Sequence, residues 1–197
     1  MKKLTSIIVL SLSVLLISGC GKVVEESELN FRDGKYYPIN SDKPYSGKIV
    51  SYYENGQLKS SGNFINGQKN GQYKSYHKSG KKRSIGNYKN GKKDGLYESY
   101  FENGRLSFSC EFIDGKTKDG LKQWWYSNGQ LEITENYKNG LSHGLYQSWY
   151  PDGKLRESGN YKNGKKEGLF TTYDEYGYLE NKEYYVYFDY QKNENND

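Results

Sequence analysis

Six glycines recur along this sequence at an almost fixed interval: Gly47, Gly71, Gly95, Gly120, Gly144 and Gly168 are separated by 24, 24, 25, 24 and 24 residues. A second glycine follows each of them by nine residues, at Gly56, Gly80, Gly104, Gly129, Gly153 and Gly177. A third series, Gly67, Gly91, Gly115, Gly140 and Gly164, follows eleven residues later and lapses only in the last unit, where Phe188 stands. A period of this length marks an array whose units cannot bury their own apolar side chains and must stack on their neighbours.

The residues between the glycines decide what the unit is. The chain has no alanine, 22 tyrosines, 7 phenylalanines and 3 tryptophans, so helix is disfavoured and pleated strand favoured. Asn55-Gly56, Asn103-Gly104, Asn128-Gly129 and Asp152-Gly153, then Asn66-Gly67, Asn90-Gly91, Asp114-Gly115, Asn139-Gly140 and Asn163-Gly164, are dipeptides suited to tight turns at positive φ. One unit therefore reads as a β-hairpin. The whole reads as an all-β protein, an elongated solenoid or roll of about six stacked antiparallel hairpins, each 24 residues long.

Fixed offsets from the first glycine series fill in the hairpin. Two residues after it come Tyr73, Tyr97, Tyr146 and Phe170, and five after it Tyr52, Tyr76, Tyr100, Trp125, Trp149 and Tyr173. On the return strand, Leu58, Leu106, Leu131, Leu155 and Leu179 lie eleven residues on, and Phe64, Tyr88, Phe112, Tyr137, Tyr161 and Tyr185 seventeen. Eleven and seventeen share parity, which places both sets on one face. At offset fifteen, Gly62, Gly86 and Gly159 would let a neighbouring ring lie flat on the backbone, and Cys110 reads as a small filler of that slot. The first glycine series is expected to open a strand, and the single 25-residue step to be an insertion confined to the loop between Gly115 and Gly120.

The ends differ from the middle. Lys2 and Lys3 precede an apolar run from Leu4 to Ile17 that closes on Ile17-Ser18-Gly19-Cys20, the pattern of a secretory leader ending in a lipobox, with Cys20 as the acylated mature N-terminus. The expected organisation is a lipoprotein signal peptide at 1–19, a tether and degenerate hairpin around Asp33-Gly34 at 20–46, the repeat array at 47–190, and a disordered polar tail at 191–197. Without Lys2 and Lys3 the chain holds 27 basic and 24 acidic residues, a balance that does not suit a nucleic-acid binder. Cys20 being taken by lipid, Cys110 is left without a disulfide partner.

The recurring segment NGLSHGLYQSWYPDGKLRESGNYKNGKKEGLF resembles the MORN repeat variant found in bacterial proteins of the YwqK-type antitoxin-component family. The resemblance runs from Gly47 to about Tyr185 and rests on the Gly-Leu-Tyr opener, the fifth-offset ring, the turn dipeptide, the leucine, and the stretch identical at 87–93 and 160–166. It implies a hairpin solenoid that works as an interaction scaffold, with an immunity or antitoxin-like role among its implications. Lys122, where Tyr or Phe is usual, and Lys82, where Leu is usual, depart from the pattern and should weaken the stacking locally.

Catalytic chemistry is not legible here. His77 occupies a slot where Tyr53, Phe101, Tyr126 and Tyr150 stand, and His143 replaces an acidic residue, so neither reads as a catalyst or a metal ligand. The turn carboxylates Glu54, Glu102, Asp152 and Asp174 share one kind of environment, whereas acid–base catalysis needs two different ones. No cofactor, metal or enzyme activity is expected. Two features read as partner-binding. Lys92, Lys93, Lys165 and Lys166, with Lys69, Lys116 and Lys118, should line one edge; Trp124, Trp125 and Trp149 should form an aromatic patch in the middle and late repeats. Trp124 is expected to be the most exposed ring, because Ser51, Ser75, Ser99 and Ser148 hold its offset elsewhere. The expected partner is a protein, a toxin being one possibility, with the membrane reached through the lipid; the alternative is a glycan or anionic-lipid binder.

Overall fold

The computed structural model describes residues 22–186, so the leader expected at 1–19, Cys20 with its expected acylation and the tail expected at 191–197 lie outside the described residues. An N-terminal segment contributes β1 (Val23–Glu25), β2 (Leu29–Arg32) and β3 (Lys35–Pro38). The repeats follow as β4 (Gly47–Tyr52) and β5 (Leu58–Ile65), β6 (Gln68–Tyr76) and β7 (Lys82–Lys89), then β8 (Lys92–Tyr100) and β9 (Leu106–Ile113). After a stub, β10 (Lys116–Thr117), come β11 (Gly120–Trp125) and β12 (Leu131–Lys138), β13 (Leu141–Trp149) and β14 (Leu155–Lys162), and β15 (Lys165–Tyr173) and β16 (Leu179–Tyr185). Among the described residues, fourteen strands form one sheet, antiparallel except for β1, which runs parallel to β4; β2 and β3 pair separately about Asp33-Gly34. The expected stack of hairpins is thus the architecture observed.

The two turn types are not the same device. Asn66, Asn90, Asp114, Asn139 and Asn163 have φ near +50° and are each followed by a glycine at positive φ, the two-residue turn whose twist suits adjacent strands. At the other end only the glycine is at positive φ, for example Gly104 at +90°. There the Gly104 N–H donates to Phe101 O and the Phe101 N–H to Arg105 O, both 2.9 Å, a tight turn closed by a left-handed glycine. Asn in this turn serves stacking instead. Asn55 Oδ1 accepts from the Gln57 N–H at 3.1 Å while its amide donates to Lys78 O in the next hairpin at 3.0 Å; Asn103 and Asn128 reach Ser127 O and Pro151 O, both at 2.6 Å.

Three expectations about register need correction. Gly71, Gly95, Gly144 and Gly168 do not open their strands: β6, β8, β13 and β15 begin three residues earlier, and each glycine sits inside its strand at positive φ, beside a register shift where extra residues bulge out. The 25-residue step lies between Gly115 and Gly120 as expected, at the irregular residues Lys118 and Asp119, but this segment is not a plain loop. Its extra residue falls where other repeats run one continuous strand and splits that strand into β10 and β11, leaving β11 joined to β9 at only Gln123↔Ser109 and Trp124↔Phe108. Finally, Leu58 and Phe64 do not share a face. Ser51 pairs with Ser60 but Tyr52 with Leu58, so a bulge intervenes and carries Leu58 to the face of Tyr52. The same shift recurs at Tyr100↔Leu106, Trp125↔Leu131 and Trp149↔Leu155.

A sheet this long has little interior. Its best-buried cluster lies at the N-terminal end, where Val24, Tyr45, Ile49 and Phe64 pack with Leu29, Tyr36 and Tyr73. Tyr36 lies edge-on to Phe64 at 5.4 Å between ring centroids, and its hydroxyl donates to Glu26 Oε1 at 2.5 Å. The β2–β3 hairpin is tied down by the Tyr36 N–H to Gly67 O at 3.0 Å, and so closes that end of the array. Beyond it, each hairpin is held by its neighbours.

Candidate interaction surfaces

The pleat sorts side chains onto two unlike faces. On one, rings from successive strands meet edge to face: Phe64–Tyr73 at 6.4 Å, Tyr73–Tyr88 at 5.8 Å and Tyr97–Phe112 at 6.1 Å, then Tyr146–Tyr161 at 5.6 Å, Tyr161–Phe170 at 5.5 Å and Phe170–Tyr185 at 5.4 Å. The glycine slots lie beneath these rings. Beside the rings runs a row of hydroxyls, with Ser51 2.7 Å from Ser60 and Ser75 2.7 Å from Ser84.

The lysines do not form the expected single line. Lys92, Lys93, Lys165 and Lys166 lie in strands just past a turn, so alternation sends neighbours to opposite faces. Lys93 Nζ sits 3.5 Å from the Tyr97 ring centre and 4.7 Å from that of Phe112; Lys166 Nζ sits 4.3 Å from Phe170 and 5.3 Å from Tyr185. Lys69 stands likewise 3.6 Å from Tyr73. These ammonium groups cover the ladder and contribute to its cohesion through the negative ring faces. Burial holds Lys69 below the usual lysine range. Lys92, on the opposite face, is exposed and pairs with Asp114 at 2.9 Å.

Lys122 and Lys82 follow the same rule. Lys122 Nζ lies 3.1 Å from the Tyr137 ring centre, with its pKa pulled down by burial, and Lys82 Nζ lies 4.5 Å from that of Tyr100. Each lysine replaces one ring contact with a cation over a ring. Cys110, 2 % exposed, fills its slot where the next repeat supplies Lys122 instead of a ring, and burial pushes its thiol pKa up.

The tryptophans are split too. Trp124 is half-buried and packs on Phe108 at 5.3 Å on the ring face, so it is not the most exposed ring. The serines at its offset mark an interior position: Ser148 is 1 % exposed and Ser51 7 %. Trp125 and Trp149, paired with Leu131 and Leu155, belong to the other face and are also half-buried. His77 takes the part of a tyrosine. Its Nε2 lies 2.9 Å from Tyr100 O, as the Tyr53, Tyr126 and Tyr150 hydroxyls donate to Tyr76 O, Trp149 O and Tyr173 O at 2.7, 2.8 and 2.9 Å.

The second face carries a feature the sequence reading passed over. Leu96, Leu121, Leu145 and Leu169, each directly after a strand glycine, are 47, 47, 44 and 49 % exposed. They recur on every second strand, roughly 9.6 Å apart by strand spacing, with Glu111, Asn136 and Asn160 on the strands between them, and make an interrupted row of leucines flanked by Trp125 and Trp149. The signal was present in the Gly-Leu dipeptide: the glycine and the following ring face one way, so the leucine between must face the other. Among the described residues, no three His, Cys, Asp or Glu side chains converge as a metal site would require.

The family described as the MORN repeat variant matches the chain at 45–66, 69–90, 93–114, 118–139 and 142–163. These are five segments of 22 residues, 110 of 197 in all, in the same phase as the hairpins. No curated protein matches the chain.

Proposed function

This chain belongs to the MORN repeat variant family, and on that premise we propose that it is a lipid-anchored, non-enzymatic scaffold that holds a protein partner on the leucine face of its sheet. The observation that carries this reading is the row Leu96, Leu121, Leu145 and Leu169, half exposed on rigid strands. A strand array presents side chains at fixed spacing, so a partner gains contact area without having to order the surface it meets. Trp125 and Trp149 border the row, and Lys92 and Lys165 lie at its margin. Trp124, Lys93 and Lys166 belong to the ring face and are left out of the interface.

The anionic-lipid alternative draws less support, because Lys69, Lys93 and Lys166 are engaged with rings rather than lined up toward solvent. Cys20 supplies the anchor in this proposal, and a toxin is the partner class that the antitoxin resemblance implies. The test replaces Leu121 and Leu145 with Lys in the full-length lipoprotein and compares what each form retains from solubilised envelope. A protein held by the natural chain and lost by the variant, with unchanged circular dichroism, is expected; equal retention refutes the leucine face. Labelling with a fatty-acid probe should vanish in Cys20→Ala.

A further inference from the structure

A hollow of about 430 Å³ lies between the second and third hairpins, near their turns, lined by Ser75, Ser84, Ser99, Ser107, His77 and Arg83. It exists because the row carries serines here, whereas further along it Phe108, on the return strand of the third hairpin, and then Trp124 and Ile133 of the fourth occupy the equivalent places. Its size falls within the range of small-ligand sites, roughly 300–1,000 Å³.

The lining is polar and biased toward donors. Ser75 and Ser84 stand 2.7 Å apart, and Ser99 and Ser107 2.9 Å. One proton bridges each pair, so the second hydroxyl of each pair is free to donate into the hollow. His77 Nε2 faces the carbonyl of Tyr100 at 2.9 Å and must carry its proton there, which leaves Nδ1 for another contact. Arg83 is exposed and forms no ion pair among the described residues. It lies at the start of β7, and the stretch 78–83 leading into that strand also holds Lys78, Lys81 and Lys82 and no acid. Glu98, the nearby carboxylate, is engaged by the Tyr100 hydroxyl at 2.6 Å.

We propose that this hollow is a binding site for a small ligand bearing an oxyanion, a phosphate ester or a carboxylate, gripped by Arg83 and by the free hydroxyls of the two serine pairs. A guanidinium presents two parallel N–H donors matched to either group, and hydroxyls complete the shell of a third oxygen or of an attached polyol. The corresponding position in the fifth hairpin, Arg156, has the same charge but a different setting: its neighbours in the row are Ser148, 1 % exposed, and Glu157.

The test is calorimetric titration of the full chain with inorganic phosphate, glycerol 1-phosphate and galacturonate. Saturable one-site binding is expected for at least one of them, weakened tenfold or more in Arg83→Gln and in Ser84→Phe, which fills the hollow as Phe108 fills its own site. Arg156→Gln should keep the natural affinity. Should Ser84→Phe unfold, Ser99→Ala serves in its place, with a smaller loss expected. Tighter binding of the phosphates assigns the ligand as a phosphate ester, and of galacturonate as a carboxylate. Absence of saturable heat with all three anions, or an equal loss in Arg156→Gln and Arg83→Gln, overturns the site.

Discussion

Tyr97 lies directly on the bare Cα of Gly86: a methyl group there would stand 2.6 Å from Tyr97 Cδ2. Gly62 under Tyr73 and Gly159 under Phe170 repeat the arrangement at 2.5 Å. Gly86→Ala should therefore destabilise by about 1–3 kcal/mol through overpacking alone, since no unusual φ is involved. Chemical denaturation is the measurement. Cys110→Ala, in the slot where no ring lies above, should cost less; equal losses would mean that ring packing does not set the glycine requirement.

Phe101 interrupts a ladder of side-chain bonds to the next hairpin. Tyr53, Tyr126 and Tyr150 donate across to a carbonyl 23 residues on, and His77 does the same. Phe101→Tyr should add the missing rung, to Trp125 O, and stabilise by about 0.5–1.5 kcal/mol. Tyr126→Phe should lose a similar amount. A Phe101→Tyr chain no more stable than the natural one in thermal melts would show that the carbonyl is out of reach.

Ser148 and Ser75 occupy equivalent positions with opposite consequences. Ser75 has Ser84 as partner, whereas Ser148, between Ile133 and Glu157, is buried with its Oγ unpaired. Removing a buried unpaired hydroxyl recovers its desolvation cost, roughly 1 kcal/mol. Ser148→Ala is thus expected to raise the denaturation midpoint, and Ser75→Ala to lower it. A lowered midpoint in both would contradict the pairing difference.

Alkaline pH should unfold the array through its tyrosines. Burial pushes Tyr88 up to about 12 from the ordinary 10.0, and burial together with the bond to Glu98 does the same for Tyr100. The folded chain keeps protons that the unfolded chain gives up near pH 10, so this stabilisation is complete below pH 10 and is lost as pH rises toward 12. Tyrosinate absorbance should lag behind a free-tyrosine curve and then rise together with the loss of the β signal. Ionisation of every tyrosine near pH 10 in a still-folded chain would rule this out.

The repeat period, the turns and the stacking were legible in the sequence because glycine spacing reports backbone demands directly. Gly86 and Gly159 were rightly read as seats for rings, and His77 as a substitute for an aromatic. Faces were harder. Parity counting fails wherever a bulge adds a residue, which is why Leu58 was assigned with Phe64, and why Gly95 was read as a strand opener although it lies inside β8. The lysines were read as one partner-binding edge from their equivalent places in the repeats, yet a flexible stem lets Lys93 fold its ammonium over Tyr97. The serine hollow needed three dimensions, since Ser75, Ser99 and Ser107 come from three different strands.

The parallel pairing of β1 with β4 makes the two ends of the sheet mechanically unlike. Tension applied to the N-terminal end of β1 along the strand loads Val23, Val24 and Glu25 against Lys48, Ile49 and Val50 in shear, so that their bonds resist together. Tension on β16, joined antiparallel among the described residues to β15 alone, peels its bonds one after another from its outer side. A chain held from its N-terminus against a pulling partner would yield last where it is fastened, and release hairpins one by one from the far end.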